Sequence, residues 1–362
     1  MKTNKVLLLI IISSLILLSI YSSLMVNPIG ELPNSTYSNT GTKIEVIAAG
    51  VPKFLGETRN YDLIFTELRE GGFTAYMPFS QYVELPEAKS LDSDIDFYLP
   101  CAPNAPQWEA MRKNNIKLLI PGYVIFDNYF ESMNDNDPLA ELIECVGREH
   151  VLGVLNYDEP AGPMWAGSLS KKDLLNIYQR TKNVDPSIPV LMVHGPFYAS
   201  NIVEGYDEPY PRQKERDKFF DFVKEASTFA DVVGFDIYPV PFGLGGGITS
   251  PSLNGEQITN IKDTYIDYLD WIKREVPGKN YFTAVQGFNF VKQFEEGYKP
   301  DNLSDSDMLN LREPTQAELQ DMVDGSLAGG ASMIVWWGQT HITDKDSNLW
   351  KDIKTVNKTI SE

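Results

Sequence analysis

Residues 151–160 read Val151-Leu152-Gly153-Val154-Leu155-Asn156-Tyr157-Asp158-Glu159-Pro160, an uncharged apolar run that gives way to an amide, a phenol, two carboxylates and a proline. A run that is apolar at every position suits a strand buried on both faces of a parallel sheet. Seven similar runs flank it in the 362-residue chain: Ile44 to Ala49, Phe73 to Met77, Ile116 to Ile120, Pro189 to Val193, Val232 to Phe235, Tyr281 to Val285 and Ser332 to Val335. Between them lie stretches with helical spacing, such as Leu174, Leu175, Ile177 and Tyr178 after Ser170, or Ile261, Tyr265, Tyr268, Leu269 and Ile272 after Glu256. Strand alternating with helix predicts a parallel sheet with right-handed crossovers. Eight units and no ninth predict an α/β chain closed into a (β/α)8 TIM barrel, one domain over residues 43–362.

The connections mark a working face. Those leading from helix to strand are short (Glu70 to Gly72, Asn114 to Asn115, Gly329 to Ala331), whereas those leaving strands are long: Pro78 to Ala105, Pro121 to Asp135, His194 to Arg216, Tyr238 to Gly255 and Gly287 to Glu313. Long connections on one side of a barrel are where its active site is expected. The Gly-rich stretch Gly243 to Gly247 lacks the Lys of a phosphate-binding loop, so no nucleotide cofactor is expected.

A hydrophobic fraction of 43% and an aromatic fraction of 12% supply a large core, while a net charge of -19 argues against a nucleic-acid partner. Lys2 and Lys5 precede an apolar run from Val6 to Met25, which is long enough to span a bilayer. Residues 1–26 therefore read as a signal peptide or membrane anchor, residues 27–42 as a linker, and the body as extracytoplasmic. The two cysteines, Cys101 and Cys145, fall on different layers of this organisation, one near the strand-end face and one near the far end of a helix, so no bond between them is expected.

Chemistry gathers at the strand ends. Strand four presents Tyr157, Asp158 and Glu159, strand six Asp236 and Tyr238, strand seven Gln286, and strand eight Trp336, Trp337 and Gln339. Consecutive strand residues point opposite ways, so one of Asp158 and Glu159, and one of Trp336 and Trp337, is expected to face the cavity. Tyr123, Tyr157, Trp165, Phe197, Tyr238, Phe288, Trp336 and Trp337 add flat faces suited to sugar rings, with Gln286 and His194 as hydrogen-bonding groups. His150, His194 and His341 lack ligand spacing, and the acidic stretches Asp92 to Asp96 and Asp301 to Asp307 read as solvated surface, so no metal is expected.

The segments Tyr157-Asp158-Glu159-Pro160, Ala230-Asp231-Val232-Val233-Gly234-Phe235-Asp236-Ile237-Tyr238-Pro239, Val285-Gln286-Gly287-Phe288 and Arg312-Glu313-Pro314-Thr315, followed by Gly329-Gly330-Ala331 and Trp336-Trp337, resemble glycoside-hydrolase-like (β/α)8 barrels related to the clan A glycosidases over roughly residues 44–345. The resemblance implies Glu159 as the acid at the end of strand four. It departs in two places: Asp158 precedes Glu159 where the family has Asn, and Gln286 stands where the nucleophilic Glu would be. A glycosidase needs two carboxyls. The expectation is an exported hydrolase of glycosidic bonds in an oligo- or polysaccharide, with Glu159 as general acid and Asp236 or Asp158 as partner; a substrate-assisted route is the variant scheme. The alternatives are a catalytically lapsed glycan-binding barrel at the cell surface and a metal-dependent hydrolase.

Overall fold

A computed structural model describes residues 43–78, 101–126, 137–161, 169–197, 213–241, 248–252, 258–290 and 310–360, all within one compact unit, Tyr37–Glu362. Eight strands form a closed parallel barrel in sequence order: β1 (Glu45–Ala49), β2 (Ala75–Met77), β3 (Lys117–Pro121), β4 (Val151–Asp158), β5 (Val190–His194), β6 (Val232–Ile237), β7 (Asn280–Gln286) and β8 (Met333–Trp337). Closure is direct: β1 pairs with β8 from Glu45↔Met333 to Ala48↔Trp336. The chain is a (β/α)8 TIM barrel, and every expected apolar run is a strand in it. β4 and β6 run further than their apolar cores, through Asp158 and Ile237, which places acids inside strands.

Helices α1 (Tyr61–Glu70), α2 (Pro106–Lys113), α3 (Pro138–Val146), α4 (Lys171–Val184), α5 (Gln213–Ala226), α6 (Ile261–Glu275), α7 (Gln316–Ala328) and α8 (Asn348–Ile360) follow the eight strands in turn. Their starts are written in the sequence. Asn60 accepts from Leu63 N at 3.1 Å, Asp137 from Leu139 N at 2.9 Å with Pro138 at the first helical position, and Asn260 from Asp263 N at 3.1 Å. Ser170 with Asp173, and Thr315 with Glu318, form capping boxes.

Inward side chains such as Ile47, Leu119, Leu191, Phe282, Met333 and Val335 fill the barrel as a packed core. Gly234 makes room for one of them, since a Cβ there would stand 2.4 Å from Phe282 O and 2.7 Å from its ring. The lower end of the barrel is tied by Asp231, whose buried carboxylate accepts from Val190 N at 2.8 Å, Lys182 Nζ at 2.6 Å and Tyr178 OH at 3.3 Å.

One expectation is overturned. Cys101 and Cys145 are joined in a disulfide, with their Cα atoms 5.6 Å apart. Cys101 does not sit at the strand-end face: the chain before α2 lies alongside the last turn of α3. The Arg112 guanidinium holds the two together, donating to Pro103 O and also to Cys145 O at 3.2 Å and Val146 O at 3.3 Å. Nothing in the local sequence signals this pairing, because it joins segments 44 residues apart.

Candidate active site

Asp158 reaches the cavity through an irregularity in β4. Leu155 pairs with Leu191 of β5, but Asp158 pairs with Val193, so three steps along β4 match two along β5. The extra residue resets the alternation. Leu155, Leu191 and Val193 all face the barrel interior, and Asp158 joins them there; in a regular strand Tyr157 would have taken that place. Asn156 points outward, donating to Leu174 O at 3.0 Å and Phe229 O at 3.1 Å in the helical layer. Tyr157 stacks on Tyr123, their ring centroids 6.1 Å apart at 22°.

Glu159 follows in the left-handed region, φ 43°. A residue with a Cβ is uncommon there, and such strain clusters at functional sites. The turn lays the Glu159 carboxylate over the end of β5, beside Gly195. Of the two consecutive acids, then, Asp158 faces the cavity and Glu159 lies across the neighbouring strand end.

Asp236 completes the group from β6. Its neighbours Phe235 and Ile237 point outward: Phe235 packs on Tyr268 and Trp271 of α6, and the Ile237 carbonyl accepts from Tyr265 OH at 2.7 Å. Asp236 therefore turns inward, 7% exposed, and lines one cavity with Asp158, Trp337, Met77, Leu119 and Phe282, a space of about 370 Å³ including its open mouth. Burial pushes the Asp236 carboxyl well above the usual range, and the charges of Glu159 and Asp158 push it the same way. Burial lifts Asp158 to about 6. The Tyr238 hydroxyl lies near enough to Asp236 to favour its anion somewhat, yet short of regular hydrogen-bond geometry; Asp236 Oδ1 and Tyr238 OH are both buried with no such partner among the described residues. Tyr238 meets Phe288 edge to face at 5.0 Å.

The other expected residues divide. Trp337 packs on the barrel core and lines the cavity. Trp336, expected among the ligand-binding residues, points to the helices instead, fully buried with Nε1 donating to Asn357 Oδ1 of α8 at 2.6 Å. His194 is likewise corrected: it faces the helical layer, its Nε2 3.0 Å from Ser227 Oγ, and burial lowers its pKa to about 3, so it is neutral and away from the cavity. Phe197 turns outward onto Phe219 and Phe220 of α5. Gln286 is at the strand end as expected, but its amide is committed. Its Oε1 accepts from Val240 N at 2.9 Å, and its Nε2 donates to Val240 O at 2.7 Å and Phe288 O at 3.1 Å. It clamps the connection after β6 and offers a ligand little. Trp165, residues 6–25 and both acidic stretches lie outside the described residues.

Gly195 was missed by sequence reasoning, because its use depends on where a side chain from another strand falls. A second opening, about 580 Å³, lies over the connections after β7 and β8 and is lined by Asn289, Glu313, His341, Asp344 and Ser347, among others. It contains no member of the carboxyl trio. Among the described residues, no group of three His, Cys, Asp or Glu side chains is placed to hold a metal, and no helix is long and apolar enough to cross a membrane.

No family model and no curated protein matches the sequence. Among solved structures, a candidate alpha-L-fucosidase from Bacteroides thetaiotaomicron is similar at 12% identity with TM-score 0.49, over 88% of this chain and 97% of that one. An endo-beta-1,4-mannanase from Thermotoga petrophila is similar at 10% identity with TM-score 0.48, over 89% and 78%. A family 1 β-glucosidase from Thermotoga maritima is similar at 10% identity with TM-score 0.44, over 87% and 97%. Likeness this distant carries no inference about activity; the barrel itself stands on the strand register.

Proposed function

We propose that the chain is an exported carbohydrate-active enzyme that hydrolyses glycosidic bonds of an oligo- or polysaccharide, with Glu159, Asp158 and Asp236 as its acid–base group. The observation that carries this reading is the meeting of Asp158 and Asp236 in one apolar cavity beside Trp337, with Glu159 close enough to repel Asp236. Cleaving a glycosidic bond requires a proton for the leaving oxygen and a carboxylate acting on the sugar carbon. Carboxyls this close do not all ionise together, so the trio holds both at neutral pH. Glu159, at the mouth, hands the proton to the leaving oxygen. Asp158, ionised above about pH 6, is the partner carboxylate, and Asp236 holds the proton at rest and gives it up to Glu159, which passes it on to the leaving oxygen. Gln286 is tied to backbone, so the partner comes from β4 or β6. Trp337, at the cavity, offers a flat apolar face to the C–H face of a sugar ring.

The disulfide supports an oxidising, extracytoplasmic location and accords with residues 6–25 as signal or anchor. The test is reducing-end release from a panel of polysaccharides by the full chain beside Glu159→Gln and Asp236→Asn. Turnover should fall about a hundredfold or more in each, and wild-type activity should rise through about pH 6 as Asp158 ionises. Full turnover by Glu159→Gln would overturn the scheme. The committed amide of Gln286 favours a second reading, a glycan-binding barrel without turnover; intact binding with no reducing ends released from any glycan would identify it.

A further inference from the structure

We propose that Gly195 is a positioning residue: it is glycine so that the Glu159 carboxylate can lie across the end of β5 and face Asp236. A Cβ at position 195 would stand 2.8 Å from Glu159 Oε1, 3.0 Å from its Cδ and 3.3 Å from Oε2, so the carboxylate occupies the space a side chain there would fill. The backbone does not ask for glycine. Gly195 is not among the residues with positive φ, unlike Gly338 at φ 82°, and any L residue can adopt its conformation. The three atoms nearest to that Cβ all belong to the Glu159 carboxylate.

The register explains why the seat matters. His194 pairs with Phe235, so Gly195, one residue on, is level with Asp236 and lies between the end of β4 and the acid of β6. Glu159 enters this slot from a left-handed turn that fixes its direction. Among the described residues, the groups facing Asp236 are Asp158 at the end of β4, Glu159 just after it and Tyr238 just after β6, while Val193 of β5 and Ala284 of β7 bring no charge. Moving Glu159 changes the field at Asp236.

This inference rests on the reading in which Glu159 and Asp236 work together, and its test separates the two. Gly195→Ala is made in the full chain, alone and with Glu159→Gln; kcat and KM are measured, and the Asp236 carboxyl is titrated by carbon NMR, which needs no turnover. The expected result is a fall in kcat of about a hundredfold, the size that a misplacement of about 1 Å produces, with KM nearly unchanged. The Asp236 midpoint moves down as Glu159 retreats, and neither effect adds to Glu159→Gln. Glu159→Asp, whose shorter side chain withdraws from the seat without adding a methyl group, should move the same midpoint the same way. An unchanged Asp236 midpoint in both Gly195→Ala and Glu159→Asp would overturn the inference, as would an equal shift on top of Glu159→Gln. If instead Glu159→Gln keeps full turnover, the hydrolase scheme fails, and the Asp236 titration still decides whether the seat exists.

Discussion

Gln286 shows why a residue type at a strand end does not by itself declare a role. Its amide is oriented by its partners: Val240 N–H can only donate, so the atom 2.9 Å from it is the oxygen, and the nitrogen must face Val240 O and Phe288 O. Replacing it by the glutamate a two-carboxylate site would want sets a buried anion against two carbonyl oxygens and removes two donors. Gln286→Glu should therefore lose about 3 kcal/mol or more of stability, read as a lower melting temperature, with no gain in turnover; a variant as stable as the parent would show that the clamp holds nothing. Its main partner, Val240, sits 46 residues back in the connection after β6, out of reach of any local pattern. Trp336 and His194 were closer to legible, since counting back from inward Trp337, and one on from inward Val193, puts both outward. The same counting fails at Asp158, because the register shift between Leu155 and Asp158 is written in the pairing with β5 and not in β4.

The eight strands were legible because each is a short apolar run, and so were the acids at their ends; the continuation of β4 and β6 through Asp158 and Ile237 was not, because inward acids interrupt the pattern that defines a buried strand. Arg312-Glu313-Pro314-Thr315, one of the family-like segments, is a helix start. Thr315 caps α7, Glu318 returns to Thr315 N at 2.9 Å, and Arg312 holds the Glu318 carboxylate through two bonds of 2.7 and 2.6 Å. Arg312 and the Thr315 donors lower the Glu318 pKa to about 2. A carboxylate depressed in the fold contributes stability above its unfolded value of about 4.3, and that contribution drains away as pH falls toward the folded value. Glu318→Gln should cost about 1 kcal/mol at pH 7. The gap between variant and parent should close between about pH 4.5 and pH 2, as followed by thermal melts across that range. A gap that persists undiminished at pH 2 would mean the charge on Glu318 is not what holds the start of α7.

Barrel closure makes the strands mutually dependent: β1 finds its second partner only in β8, so the sheet has no edge, and the strands, all parallel, end on one face, where the longer connecting stretches of sequence begin. That asymmetry was visible in the spacing of the apolar runs, since connection length is a local count. The disulfide was not, because it joins two segments 44 residues apart, Cys101 ahead of α2 and the last turn of α3, and no local count brings them together. The bond joins residues 44 apart in sequence and fastens the segment before α2 to α3 across two successive βα units. A cross-link of that span restricts the unfolded chain by about 4 kcal/mol in the chain-entropy account, an upper figure where the reduced chain keeps structure. Cys101→Ser, or reduction of the wild type, should lower the melting temperature by several degrees and leave the barrel folded, because the strands carry their own core and none of the eight depends on either sulfur. Thiol titration of protein purified from an oxidising compartment supplies the matching readout: about zero free thiols before reduction and two after. Two free thiols at the outset, or a melting temperature indifferent to reductant, would place the chain in a reducing environment and remove the structural support for export, leaving the apolar N-terminus to carry that proposal alone.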